Sequence, residues 1–488
     1  MLAVVALPML PLAVALLVFV FPELRRWAAV AGTAGIAAAL AAAGGEVATE
    51  GARRYAIGGW PAPPGIALLA DPLSVLLLGL TTVVSGAATF YALGYWAGHR
   101  DPDGRPDPRE RAFWPLWWML WAGLNALFLA GDAFNAYVAL EVLSLAAVAL
   151  VAVAGDAGAL RAALRYLLVS LAGSLAYLAG VALLYAEHGL LDLASLAEAV
   201  EPGPEAVGAL AVITAGLLMK TALFPLHFWL PGAHSRAPGP VSAVLSGLVV
   251  KAGFFLLLRY WFWVYGGWEV ATGTALIGSL GAVAVLWGSV QALAALRLKL
   301  LVAYSTVAQL GYLFLAFALI SEPGVAGNLG QEGALYLALS HGLAKGGAFL
   351  MAGTCLWAAG NDRLEGIGDT LRQLPVSTAA FALAGISLIG LPPTGGFVGK
   401  WLLLRAMAES EAWVWLAVIA AGTFLATGYI FRVLVPVFQA GTEPPPLERT
   451  PPRIMEVSAL LLAVAAVGMG FLAPVFEPLM LGLQGPSP

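Results

Sequence analysis

Apolar runs of about twenty residues follow one another along almost the whole chain, separated by short polar stretches. A run of that length crosses a hydrocarbon core of roughly 30 Å as an α-helix. Fourteen spans can be drawn, approximately 2–21, 27–43, 67–96, 114–131, 133–153, 159–186, 206–230, 239–263, 271–294, 299–320, 333–358, 377–407, 412–439 and 455–476. A membrane β-barrel would alternate apolar and polar residues in segments of about ten, and this chain does not. The pattern predicts an all-α polytopic membrane protein. The longest polar connection, Gly98–Ala112, reads "GHRDPDGRPDPRERA" and leaves no room for a soluble domain, so residues 1–488 are expected to form a single transmembrane domain. Met1–Phe21 has no basic residue ahead of its apolar run and is read as a retained span, not a cleaved signal.

Two spans are interrupted. The seventh runs into "GLLMKTALFPLHFWLPGAHSRAPGP", Gly216–Pro240, where Pro225 and Pro231 break the helix just after Lys220. The twelfth contains "GLPPTGGFVGKW", Gly390–Trp401. Lys220 and Lys400, beside the two breaks, lie 180 residues apart (400 − 220). Paired broken helices point to an internal repeat with an ion site near the membrane midplane. The two stretches share little sequence, so the repeat rests on hydropathy and on the breaks.

Composition agrees with this picture: 61% of the residues are hydrophobic and 11% charged. The net charge of −4 decides little, but its distribution does. Loops on one side carry most of the Lys and Arg, from Arg25 and Arg26 through Arg100, Arg105, Arg109 and Arg111 to Arg449 and Arg453, with Lys299 counted among them. The other side has Arg53, Arg54 and an acidic loop with Glu187, Asp192, Glu198, Glu201 and Glu205. Basic loops stay in the cytoplasm. A cell-membrane protein with both termini outside and its Arg-rich loops cytoplasmic is expected.

The two cations are sorted. Of five lysines, Lys220, Lys251, Lys345 and Lys400 fall inside apolar spans, whereas most arginines lie in loops. Arg stays charged; Lys can lose its proton when desolvated. A buried charge costs at least ~2.5–3.5 kcal/mol on the insertion scale, and such residues face a bundle interior or a wet cavity. Glu141, in the middle of "GDAFNAYVALEVLSLAAVALVA", supplies an anionic partner, and Ser144 one turn on can share its hydrogen bonding. The expected device is a Glu141–Lys220 pair that opens and closes, changing the proton affinity of Lys220. In "LALSHGLAKGGAFLMAG", His341 and Lys345 are one turn apart on one helix face, as a proton relay requires. Lys251 would link Lys220 to this pair, and Lys400 would be the terminal group.

Blander readings stand beside these. A lysine can snorkel to the interface, and a lone buried histidine is more often a satisfied core residue. His227 and His234, flanking the first break, read first as structural. Asp71 and Asp132 read as helix N-caps. Arg432 lies inside the thirteenth span and is read as a fixed counter-charge. The sixteen tryptophans suit interfacial belts. "GGFVGKW" has the wrong spacing for a phosphate loop, and no Ser or Thr follows its Lys. Cys355 is the single cysteine, so no internal disulfide or cysteine–metal cluster is available. No His/Cys/carboxylate group has metal spacing, and no basic surface suits nucleic acid. Neither a cofactor nor enzymatic chemistry is expected.

The stretches "FNAYVALEVLSLAAVALVA", "MKTALFPLHFWLPGAHSRAPGPVSAVLSGLVVKAG", "KLLVAYSTVAQLGY", "SHGLAKGGAFLMAG" and "GISLIGLPPTGGFVGKW" resemble the proton-conducting membrane subunits shared by respiratory complex I, membrane-bound hydrogenases and Mrp-type cation/proton antiporters. The resemblance covers nearly the whole chain. It implies fourteen helices with two inverted five-helix repeats, approximately 114–263 and 271–439, flanked by 1–96 and 455–476. It implies that Glu141 and Lys220 are the coupling pair, that Lys251, His341 and Lys345 lie on a central hydrophilic axis, and that Lys400 matches a terminal titratable position where some members carry Glu. The chain looks most like the D subunit of an Mrp-type antiporter, working with other membrane subunits on protons and sodium. The long C-terminal lateral helix of some members is not expected. The alternative is an antiporter-like subunit of a complex I or hydrogenase, where redox chemistry in other subunits would drive the protons.

Overall fold

The computed structural model describes residues 2–62, 65–99, 103, 105–266, 271–439 and 444–480; Arg100, counted above with the basic loops, lies outside them. The helices follow the apolar runs. α1 (Leu2–Val20) and α2 (Arg25–Glu50) are followed by a short hairpin, β1 (Arg53–Ala56) antiparallel to β2 (Ala67–Ala70), with Arg53 opposite Ala70. The hairpin was not expected. Its second strand, "ALLA", cannot be told from the start of a helix by hydropathy alone. Asp71 then ends the strand: its carboxylate accepts from the Ser74 N–H at 2.9 Å, and Pro72 opens α3 (Pro72–Ala97).

α4 (Pro108–Phe128), α5 (Ala133–Ala152) and α6 (Ala157–His188) come next, the last two capped by Asp132 and Asp156. After the short α7 (Leu193–Ala199) comes the first broken span. α8 (Pro204–Thr221) stops where Ala222 turns left-handed at φ 55°, and the chain resumes as α9 (Leu230–Arg236). α10 (Gly239–Val244) and α11 (Val250–Arg259) form one rod joined by a π-helical turn, Leu245–Val249. α12 (Ala271–Ala294), α13 (Leu298–Ile320) and the 35-residue α14 (Val325–Ala359) follow. A short α15 (Ile367–Gln373) leads to the second broken span, α16 (Pro375–Ile389) and α17 (Gly395–Glu409). α18 (Trp413–Leu434), α19 (Arg453–Gly468) and α20 (Ala473–Met480) are the last helices among the described residues.

Among the described residues, eleven helices are long and apolar enough to cross a membrane, or twelve if α15 and α16, bent by 113°, are joined. The fourteen expected spans exceed that number for physical reasons. α4 carries four tryptophans and several charges near its start, and α14 carries His341 and Lys345. α16 and α17 have 15 residues each, about 22 Å of helix and too short alone. The protein is nonetheless a polytopic, almost wholly α-helical membrane protein.

Charged loops expected on the same face bond to one another. On the Arg-rich face Arg25 pairs with Glu110 at 2.7 Å, Arg109 donates to Ala154 O at 3.0 Å, and Arg297 pairs with Asp362 at 2.7 Å. On the opposite face Arg54 bonds Asp192, whose strand-like bridge to Asp132 ties two loops together. The tryptophan expectation needs correction. Trp114, Trp117, Trp118 and Trp121 are buried along α4, along with Trp96 and Trp229, whereas Trp27, Trp60 and Trp413 are exposed. Neighbouring helices cover α4, so packing and not the interface claims these rings.

Candidate functional site

α6 and α8 pack unusually closely. A Cβ on Gly216 would lie 2.4 Å from Gly173 O, so neither helix could carry a side chain there at this spacing. The close approach brings the serines of α6 against the last turn of α8. Lys220 Nζ donates to Ser144 Oγ at 2.7 Å, to Ser170 Oγ at 2.9 Å and to Glu141 Oε1 at 3.4 Å. Glu141 also accepts from the Ser174 hydroxyl. The ammonium is thus held by two hydroxyls and only loosely by its carboxylate. Ser144, expected to serve Glu141, serves Lys220 instead. Glu141 keeps 19% of its side chain exposed against 5% for Lys220, so the carboxylate stands at the edge and the amine inside.

The next lysine lies on α11. Lys251 is fully buried, and its Nζ sits 2.9 Å from His341 Nδ1 on α14. Among the described residues, no carboxylate pairs with it. The π-turn before it leaves Ser246 O free to accept from Nζ at 3.3 Å. The Lys220 and Lys251 amines share no hydrogen-bond partner; their helices meet where Gly253 packs against Leu217 and Thr221.

Lys345, one turn beyond His341, turns toward α13, donating to Val302 O at 3.0 Å and to the Ser305 hydroxyl. Lys251 and Lys345 both act electrostatically on His341. Lys400 reaches back across the second break. It donates to Ile389 O at 2.9 Å and Leu388 O at 3.2 Å, the bare carbonyls at the end of α16, and sits 4.5 Å over the Tyr312 ring. That break needs Gly396, where a Cβ would fall 1.8 Å from Ser387 O. We expect Gly396→Val to displace α17, cutting transport at least tenfold and lowering thermal stability; Gly45→Ala, in open space, should change neither. Tm and transport of the purified variants check this.

α13 is the common spine, and sequence reasoning assigned it no role. Lys299, Val302, Ser305, Thr306 and Gln309 follow its helical repeat. Thr306 bonds Ser246 at 2.8 Å, and Gln309 Nε2 donates at 2.9 Å to Leu388 O, the carbonyl that Lys400 also uses. The helical period of these polar residues was the available signal.

Two further residues change status. Lys299, counted with the loops, is 1% exposed on the first turn of α13 and donates to Ala237 O. The loop stops before it, because Asp362 accepts its backbone N–H at 3.1 Å and starts the helix. His234 is fully buried and stacked 4.8 Å from Phe349, with no protein partner at either ring nitrogen among the described residues. It lies within the fields of Lys299 and Lys345. A cavity of about 260 Å³ opens beside Lys299, lined also by His99, Arg236, Trp357, Glu448 and Arg449. Burial pushes the pKa of His99 below its usual value, so at neutral pH it is uncharged there. His227 stacks on Phe224 at 5.5 Å and stays outside this constellation.

A second buried cation was missed. Arg259, at the end of α11, pairs with Asp71 at 2.6 Å with both side chains almost wholly buried. Its guanidinium lies 5.0 Å from the Phe255 ring and 5.2 Å from Trp263. Arg432, by contrast, sits in the last turn of α18, not deep in the span. It donates to Leu293 O and, at 2.7 Å, to Ala295 O, capping the carbonyl end of α12.

The arrangement is therefore a row of buried amines, one imidazole and hydroxyls, with a carboxylate at one end. Such a row can hold and pass protons.

Residues 130–426 match the family described as "NADH:quinone oxidoreductase/Mrp antiporter, TM". The chain is 38% identical over 430 residues to the N subunit of the NADH-quinone oxidoreductase of Desulforudis audaxviator, covering 86% of this chain and 83% of that one. It is 29% identical over 436 residues to the D subunit of the Na(+)/H(+) antiporter of Bacillus subtilis, covering 87% and 84%. It superposes on a chain of the Mrp complex from Dietzia with a TM-score of 0.87 at 22% identity, covering 100% and 98%. A chain of respiratory complex I from Thermus thermophilus gives 0.76 at 27% identity, covering 99% of each.

Proposed function

The chain belongs to the NADH:quinone oxidoreductase/Mrp antiporter family, and from that premise we propose that it carries protons along Glu141, Lys220, Lys251, His341, Lys345 and Lys400. The observation that carries this reading is the 2.9 Å contact between Lys251 and His341, an amine and an imidazole buried together without a counter-charge. Two bases so placed hold one proton between them more easily than two. Protonation at one end therefore favours release at the other. Glu141 sets the starting point: when it approaches Lys220 the amine keeps its proton, and when it withdraws the proton moves inward. Lys299 lines the cavity on the Arg-rich face and is taken as the outlet of the row on that side, cytoplasmic by the positive-inside rule. The two broken helices then occupy matching places in the two repeats, 114–263 and 271–439.

We assign the chain to an Mrp-type cation/proton antiporter with sodium as the coupled ion, working among other membrane subunits. Its supports are two relatives named as D subunits of Na(+)/H(+) antiporters, at 29% and 30% identity. A second reading, a redox-driven proton pump, is favoured by the 38% identity to an N subunit of an NADH-quinone oxidoreductase. Purification through a tag on this chain separates them. Small hydrophobic partners, with sodium-dependent proton movement in vesicles, support the first. Partners carrying iron–sulfur or flavin groups overturn it in favour of the second.

A further inference from the structure

Arg432 is not part of the proton row, yet a guanidinium in a lipid-facing helix needs a reason. Its Nη1 caps the end of α12. It also lines a cavity of about 580 Å³ with Leu296, Arg297, Arg363, Leu364 and Glu365. This cavity sits on the Arg-rich face, where the α12–α13 and α14–α15 connections meet α18. Three guanidiniums therefore converge. Arg297 is engaged with Asp362 at 2.7 Å. Among the described residues, Arg363 and Arg432 have no acidic partner, and Glu365 is the one acid on the wall. The surrounding surface is apolar and open: Leu296 is 73% exposed, Phe431 47% and Val435 45%.

A small soluble anion would use the guanidiniums and ignore the apolar skirt. A protein partner's acidic segment would leave the skirt without lipid-like contact. A molecule with a phosphate and long hydrocarbon chains uses both. Basic pockets between membrane helices on the positive face suit anionic headgroups, and the arginine fork binds phosphate oxygens in pairs. We propose that this cleft binds one anionic phospholipid, its phosphate between Arg363 and Arg432 and its acyl chains over Leu296, Phe431 and Val435. Bound there, the lipid would fasten the end of α18 to the loops beside it.

The test is native mass spectrometry of the complex purified through this chain, titrated with phosphatidylglycerol or phosphatidylcholine. One phosphatidylglycerol should survive detergent stripping per chain, at least tenfold more tightly held than phosphatidylcholine. Arg363→Gln removes an exposed side chain that makes no hydrogen bond or ion pair among the described residues, and should weaken that binding about tenfold, as loss of one charge-assisted pair does. Arg432→Lys, which keeps a donor for the α12 carbonyls, should weaken it as well. Equal retention of the two lipids, or no loss in Arg363→Gln, overturns the proposal. Displacement by millimolar inorganic phosphate would instead mark a soluble-anion site, and a photo-crosslink from position 363 to a protein would mark a partner surface; either overturns it too. The readout is lipid retention, so it stands or falls separately from proton transfer.

Discussion

Lys220→Ala is expected to reduce proton-coupled transport by at least about 100-fold while leaving the complex assembled, in line with the loss of a positioned proton-transfer group. The amine is held by Ser144, Ser170 and Glu141; when it is removed the carboxylate keeps the Ser174 hydroxyl, and the two serines are small neutral groups that leave no charge stranded. Alanine also leaves the Gly173–Gly216 contact untouched. The informative companion is Lys220→Arg. Arginine keeps the charge and the bond to Glu141 but does not release a proton, so it should be equally inactive. If the amine only held helices together, Arg would restore function and Ala would prevent assembly. Native gels of the complex, with sodium- or redox-driven proton uptake in vesicles, read both outcomes.

Asp71→Ala is expected to have the largest effect on stability. It leaves Arg259 charged, buried and without its carboxylate, a loss of about 3–5 kcal/mol. It also removes the cap on Ser74, worth roughly 1 kcal/mol. Little chain should accumulate in the membrane. Replacing both partners, Asp71→Asn with Arg259→Met, should recover much of the loss, because no buried charge is then stranded. The yield and Tm of the two single variants and the double variant measure the coupling. If Asp71→Ala behaves like the double variant, the pair contributes nothing to folding.

How much could be read without coordinates depended on what each residue does to an apolar pattern. Lys220, Lys251, His341, Lys345 and Lys400 stand out because a charge or imidazole in a twenty-residue apolar run is conspicuous. The breaks were visible because Pro225, Pro392 and Pro393 cannot continue a helix. Ser305, Thr306 and Gln309 were not, because hydroxyls and one amide hardly disturb hydropathy; their helical spacing was legible, but the partners that give it a meaning appear only when α13 packs beside α11, α14 and α16. Asp71 announced itself as a cap and gave no hint of Arg259, 188 residues away (259 − 71). That partner is set by how α3 and α11 pack. Lys299 was misplaced for a similar reason: the helix begins one residue earlier than its apolar run suggested, and the α9–α10 turn folds over it. The pairing of Glu141 with Lys220 was anticipated, but not that two serines would hold the amine more closely than the carboxylate does.

The central claim is that protons cross along the buried row, and Lys251 lies in its middle. The most direct measurement is proton movement into proteoliposomes, followed with a pH-sensitive dye, for the complex purified with this chain as wild type and as Lys251→Met. Methionine fills the same volume without a titratable group. The account predicts an intact complex, unchanged in composition, with no proton movement above that of empty vesicles. An intact Lys251→Met complex moving protons at the wild-type rate would contradict it.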